Sequence, residues 1–180
     1  MIETERLILR QWQQTDDLPF IAMGADAEVM KYFPSCLTPD ESHDFIKKVV
    51  TLIDQNGWGF WAVELKESHE FIGFIGLHHQ PTLFDFSPCI EIGWRLAHAF
   101  WGKGYATEGA RAALTYAFET LNADKVVSFT ASINAPSQAV MQRLGMQKVK
   151  AFNHPKLLDH ADLKKHVLYE ICRSSPDTLQ

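Results

Sequence analysis

Trp101-Gly102-Lys103-Gly104-Tyr105-Ala106-Thr107-Glu108 links a strand to a helix. Before it, Cys89 to Leu96 sets Ile90, Ile92 and Trp94 on one face and Glu91, Gly93 and Arg95 on the other, the period of a strand. After it, Ala110, Ala113, Leu114, Ala117, Phe118 and Leu121 recur at helical spacing. Glycines at positions 102 and 104 let the backbone turn tightly with its N–H groups pointing inward. The helix start adds the positive end of its dipole, so the turn suits a phosphate or pyrophosphate, with Lys103 and Arg111 near enough to neutralise charge. An isolated pair of glycines also serves as nothing more than a tight turn. A P-loop would need Gly, four residues, then Gly-Lys-Ser/Thr, which is absent. A Rossmann fingerprint would need Gly or Ala where Thr107 stands, inside a parallel βαβ unit.

Outward from this turn the pattern is mixed. Leu7, Leu9 and Gln11 alternate with Arg6, Ile8 and Arg10 as a first strand. Asp16 to Met30 reads as helix broken at Gly24, and Thr38-Pro39-Asp40-Glu41 is a capping box for a second helix that Asn56-Gly57 stops. Phe60 to Leu65 and Phe71 to His78 form a hairpin across the polar stretch 66–70. Val126 to Ile133 is a strand, Asn134 caps a short helix closed by Gly145, and strands at Gln147 to Phe152 and His166 to Cys172 follow. The order predicts an α+β fold whose central sheet is mixed and mostly antiparallel, flanked by helices. No repeat or linker divides the chain, so residues 1–180 read as one domain.

Composition narrows the function classes. Hydrophobic residues make up 46% and charged residues 22% of the 180, an ordinary globular balance. The net charge of −5, with no basic face in the pattern, argues against a nucleic-acid binder and suits a cationic acceptor. Three unpaired cysteines, Cys36, Cys89 and Cys172, fit a reducing cytoplasm. The polar start and the lack of a long apolar run predict a soluble intracellular protein with no membrane partner. Eight histidines form no metal-binding spacing, so no metal site is expected. Oligomeric state is not readable.

Ile92-Gly93-Trp94-Arg95-Leu96 followed by the turn at 101–108 resembles the acetyl-CoA motif of the GNAT N-acetyltransferases. The family pattern is Gln or Arg, two residues, Gly, one residue, then Gly or Ala; Trp101 departs from it, while Gly104 and Ala106 match. The form of this turn, Thr4-Glu5-Arg6-Leu7-Ile8-Leu9-Arg10, and Asn134-Ala135-Pro136-Ser137 with Leu144-Gly145-Met146 resemble the branch that includes ribosomal-protein N-terminal acetyltransferases. The resemblance runs from about Glu3 to Ile171 and implies a GNAT fold with acetyl-CoA as co-substrate. It implies that Trp94, Arg95 and Leu96 pair with the pantetheine arm. It also implies that Gly102, Lys103, Gly104, Tyr105, Ala106 and Thr107 hold the pyrophosphate, and that Asn134 and Ser137 lie beside the thiol.

Acetyl transfer to a primary amine needs a base for the amine proton and a donor for the sulfur. Glu91, a charge in an apolar strand, is the favoured base, with a solvated rim carboxylate as its alternative and His78 as the next candidate. Many family members carry a Tyr donor where this chain has Met141. Ser137 is the substitute, its alternative being a helix-capping serine. Trp58, Phe60 and Trp61 line either an acceptor pocket or the core. The acceptor is a protein N-terminus or a small amine, its specificity expected from segments 16–56 and 153–165. A non-catalytic acyl-CoA-binding sensor is the second reading, and a turn for another phosphate ligand, ATP or NAD, the third.

Overall fold

The computed structural model describes residues 1–173. Eight strands form one sheet in the order β1-β2-β3-β4-β5-β6-β8-β7. They are β1 (Ile2–Glu3), β2 (Leu7–Arg10), β3 (Phe60–Leu65), β4 (Phe71–Gln80), β5 (Cys89–Leu96), β6 (Lys125–Ala131), β7 (Gln147–Asn153) and β8 (Lys165–Cys172). Helices α1 (Asp17–Ala25), α2 (Ala27–Met30) and α3 (Pro39–Asn56) intervene after β2, α4 (Tyr105–Glu119) after β5 and α5 (Ala135–Arg143) after β6. Every neighbouring pair is antiparallel except β5 and β6. The α+β architecture and the mostly antiparallel sheet are as expected.

Local chemistry sets the boundaries. Thr38 accepts from the Glu41 N–H while the Glu41 carboxylate accepts from the Thr38 N–H, and Gly57, at φ 78°, ends α3. The first helix does not break at Gly24. Gly24 is buried inside α1, where a Cβ would approach Ser42 Oγ at 3.0 Å and Leu37 Cβ at 3.2 Å. The break falls at Asp26, whose extended backbone and side chain cap α2 through Glu28 N–H. Strand β4 continues two residues past His78, to Gln80. The short strand β1 is not signalled by any alternation.

Two layers of helices cover the sheet. Helix α4 lies close on one face, its Gly109 leaving only 2.5 Å between a would-be Cβ and Ile75 Cδ1. The other face packs under α1 and α3 through Trp12, Phe20, Phe45 and Phe74; Phe20 and Phe45 stack at 5.1 Å. Arg10 is buried there because Asp16 takes its guanidinium at 2.7 and 2.9 Å and Glu64 at 2.6 Å.

Gly73 fixes how closely β5 lies on β4. Its φ is +138°, and an added Cβ would sit 2.2 Å from the carbonyl oxygen of Arg95. Gly73→Ala is therefore expected to cost about 1–3 kcal/mol, from strain and from displacing β5. Urea denaturation checks it: an unchanged midpoint would mean the strands part at no cost.

Candidate active site

Strands β5 and β6 meet at a single rung, Glu91 opposite Val127, and then separate. Ser128 Oγ reaches across to Ile92 O at 2.9 Å. The Ala97 N–H donates to Ile72 O on β4, and β4 pairs with β5 without a bulge. By the antiparallel alternation, Arg95 and Gly93 bond to β4, whereas the N–H and C=O of Trp94 turn toward the gap. The sequence could not show this opening, because Val126 to Ala131 reads as an ordinary strand whichever way its edge is used.

The gap runs into a groove of about 1430 Å³. Its walls include Trp94, Arg95 and Leu96 from β5, Gly102, Gly104, Tyr105, Ala106 and Thr107 at the start of α4, and Asn134 and Ser137 at the start of α5. Gly104 caps α4 at φ 81°, ψ 0°, and the first helical bond runs from Glu108 N–H to its carbonyl. The first-turn amides of a 15-residue helix thus end at the groove. Trp101, which departs from the usual Gln or Arg, donates its indole N–H to Leu96 O at 2.8 Å and so ties the turn to the end of β5. Of the residues expected to hold a pyrophosphate, Lys103 does not line the groove: its Nζ lies 5.3 Å from the Phe100 ring centroid. Arg111 lines the groove, and its Nη2 donates to Arg143 O at 3.1 Å at the end of α5.

A clamp that the sequence reading missed holds this turn. Glu108 accepts from Thr4 Oγ1 at 2.6 Å, from Arg6 N–H at 2.8 Å and from Arg6 Nε at 2.7 Å. Arg6 Nη1 also donates to Lys103 O at 3.0 Å. Burial would raise the Glu108 carboxyl, but the hydrogen bonds from Thr4 and Arg6 outweigh it and hold the group below the usual range. Thr4-Glu5-Arg6 and the Glu at the end of the turn are therefore two halves of one contact.

The face of β5 turned toward α3 carries the charged groups. Glu91 stands opposite His78, and Gln80 Nε2 donates to Glu91 Oε2 at 2.7 Å. Desolvation pushes the Glu91 carboxyl up to about 7, against the lowering effect of the Gln80 hydrogen bond. Among the described residues no cation forms an ion pair with it. Both Glu91 and Arg95 line the groove. His78 stacks on Phe60 at 5.6 Å, and burial lowers its pKa; it is not among the groove-lining residues. Phe60 lines the groove, whereas Trp61 is core against Tyr116 and Trp58 packs on the core.

At the start of α5, Asn134 is the cap: its Oδ1 accepts from Ser137 N–H at 3.2 Å while its Nδ2 donates to Thr130 Oγ1 at 2.9 Å. Ser137 gives the cap its N–H, not its hydroxyl, and lines the groove. Met141 is 1% exposed and lies in the core, not on the groove. His154 and His166 also line the groove with their rings tilted at 52° and 4.9 Å between centroids, and burial pushes His154 down to about 4. Among the described residues no group of three or more His, Cys, Asp or Glu is placed to hold a metal, and no helix is long and apolar enough to cross a membrane.

Residues 6–147 match the acetyltransferase (GNAT) domain model. The chain belongs to the GNAT acetyltransferase family. Among relatives of this GNAT chain, the FsC-acetyl coenzyme A-N(2)-transacetylase of Aspergillus fumigatus is 38% identical over 139 residues, 72% of this chain. That match spans 57% of the fungal protein's length. The uncharacterized N-acetyltransferase YnaD of Bacillus subtilis is 30% identical over 82% of each chain. A crystal structure of a GNAT-family acetyltransferase from Bacillus anthracis superposes with a TM-score of 0.79 at 27% identity, covering 95% of this chain and 97% of that one. The GNAT fold expected from the motifs is thus the fold of this chain.

Proposed function

We propose that this chain transfers the acetyl group of acetyl-CoA to a primary amine by direct attack. The observation that carries the reading is the gap between β5 and β6, which leads without interruption to the amides at the start of α4. A pantetheine arm carries amide groups that match the Trp94 C=O and the Leu96 N–H, which face the gap, and a pyrophosphate matches the helix start at Gly104 to Thr107. Asn134 and Ser137 stand across the gap from β5, beside the place such an arm would bring its thioester.

In the proposed step the amine nitrogen forms a bond to the acetyl carbon, and the carbon–sulfur bond breaks. Glu91, held near neutrality and oriented by Gln80, takes the proton that the nitrogen loses. The Trp94 N–H stabilises the negative charge on the carbonyl oxygen. The Ser137 hydroxyl donates a hydrogen bond to the departing sulfur, which leaves as a thiolate and takes up a proton from solvent. The test is release of the CoA thiol from acetyl-CoA, screened against N-terminal peptides, polyamines and amino-carboxylates. Release dependent on an amine supports the reading; binding of acetyl-CoA with no release for any amine overturns it in favour of a sensor.

Ser137→Ala is expected to lower kcat about 10-fold or more while leaving the Kd for acetyl-CoA within a factor of about two. Asn134 remains the cap and keeps its acceptor, so α5 does not depend on the hydroxyl. Stopped-flow thiol release and calorimetric titration check the two halves. An unchanged kcat removes Ser137 from the chemistry.

A further inference from the structure

Arg95 is a charged side chain of the groove that the proposed chemistry does not use. It stands on the same face of β5 as Glu91, four residues away, with roughly 13 Å between the Cα atoms at about 3.3 Å per residue. Its Nε and Nη1 are buried and have no hydrogen-bond partner, and among the described residues no carboxylate lies within ion-pair distance of it. Aromatic rings surround it instead: the guanidinium carbon is 4.2 Å from the Phe33 ring centroid, 5.4 Å from Phe74 and 5.9 Å from Phe45. Ring faces attract a cation but accept no N–H hydrogen bonds in the way an oxygen does, so the desolvation of this fork is only partly offset. Desolvation alone pulls its pKa down to about 10, which leaves it charged at neutral pH.

The floor between the two charges is apolar. Gly93 leaves room on β5 for the Phe60 ring, whose Cε1 lies 3.2 Å from the position a Cβ would take. Phe60 and Phe74 follow one another at 5.1 Å between centroids. Glu91 Oε1 lies 3.8 Å from that same Cβ position, so the carboxylate leans along the strand toward Arg95. The groove thus presents a proton acceptor, an apolar strip and an unsatisfied planar cation in sequence.

Resting on the proposed transfer to an amine, we infer that the acceptor is a small amine carrying a carboxylate several bonds from its nitrogen, and that Arg95 binds this carboxylate while the chain between lies over Phe60 and Phe74. The guanidinium fork matches a carboxylate with two parallel N–H···O bonds. The α-amine of an amino acid is too close to its own carboxylate to engage both ends, since one carbon separates them. A polyamine brings a second cation to Arg95 and is rejected by like charge.

The experiment compares ε-aminocaproate with its carboxamide as acceptors, for the wild-type chain and for Arg95→Met. Expected is a kcat/KM for the carboxylate at least about tenfold above that of the amide, a preference that Arg95→Met removes. Arg95→Lys, which keeps the charge but not the fork, retains part of it. Calorimetric titration of both probes in the presence of CoA gives the same comparison without turnover. Carboxylate-selective binding lost in Arg95→Met upholds the inference even if no acetyl group moves. Turnover of amide and carboxylate at equal rates overturns it while leaving the acetyltransferase reading standing. A variant that keeps the preference but loses acetyl-CoA affinity overturns it too, placing Arg95 on the cofactor. Folding does not confuse the result, because a Met among Phe33, Phe45 and Phe74 replaces a desolvated charge with an apolar chain, and the melting temperature is expected to stay level or rise.

Discussion

Glu91→Gln is expected to lower kcat by roughly 10²- to 10⁴-fold, the range for loss of a positioned general base. The amide keeps the size of the carboxylate and can still meet Gln80, so the groove is preserved while the proton acceptor is lost. The pH profile carries the sharper signature. A base works in its ionised form, so with the carboxyl raised to about 7 the wild-type kcat climbs as pH rises through about 7 and levels above it. In the variant that limb disappears, and only a steeper dependence at higher pH, from the acceptor's own ammonium, is left. Stability moves the opposite way. Because the folded carboxyl holds its proton to higher pH than the usual value of 4.5, the folded state is favoured at low pH and loses that advantage as pH rises from 4.5 through about 7. Glu91→Gln is therefore expected to flatten the fall in urea midpoint over that window. A wild-type profile with no inflection near 7, or a variant that keeps one, assigns the base elsewhere.

Gly104→Val is expected to weaken acetyl-CoA binding by at least about 100-fold, or about 2.7 kcal/mol. Gly104 holds φ at 81°, a region in which a β-branched residue is strained by about 1–2 kcal/mol. Within the protein an added Cβ meets only Arg6 Nη2, at 3.4 Å, so the chain itself leaves room. The methyl groups would instead occupy the groove surface that a pyrophosphate must approach. Gly104→Asn separates strain from obstruction, since Asn tolerates the left-handed region yet still carries a side chain. Calorimetry with acetyl-CoA and thermal unfolding measure both. Wild-type affinity in a folded Gly104→Asn variant excludes the turn as the phosphate site.

Much of the architecture follows from local chemistry that a sequence displays. The Thr38 capping box, the Gly57 stop and the alternation of β5 each act over a few residues, and each element lies where those signals put it. The misplaced break at Gly24 shows the limit: a glycine there serves close packing on Leu37 and Ser42, and the side chain of Asp26 makes the real end. The candidate groove was legible where it rests on backbone, at Gly102 and at Gly104 to Thr107, and on short-range caps, at Asn134. It was not legible where it depends on distant partners. The Arg6–Glu108 contact joins residues 102 apart, and nothing in either neighbourhood announces the other. The same holds for Arg95, which in the sequence is an ordinary alternating strand position and becomes a desolvated cation only when Phe33, Phe45 and Phe74 arrive from other elements.

The single rung between β5 and β6 also bears on self-association. A strand with unsatisfied amides at the rim of a sheet invites pairing with a neighbouring molecule, and proteins guard such rims with charge, proline or short length. Here the exposed row lies in the middle of the sheet, between the start of α4 and the start of α5. A second polypeptide, with side chains alternating between both faces, meets walls on either side before its backbone can dock. A slender arm whose two amides are joined by an unbranched two-carbon chain passes. The geometry that suits a slender cofactor arm is thus also a sieve against the docking of a second backbone on this row.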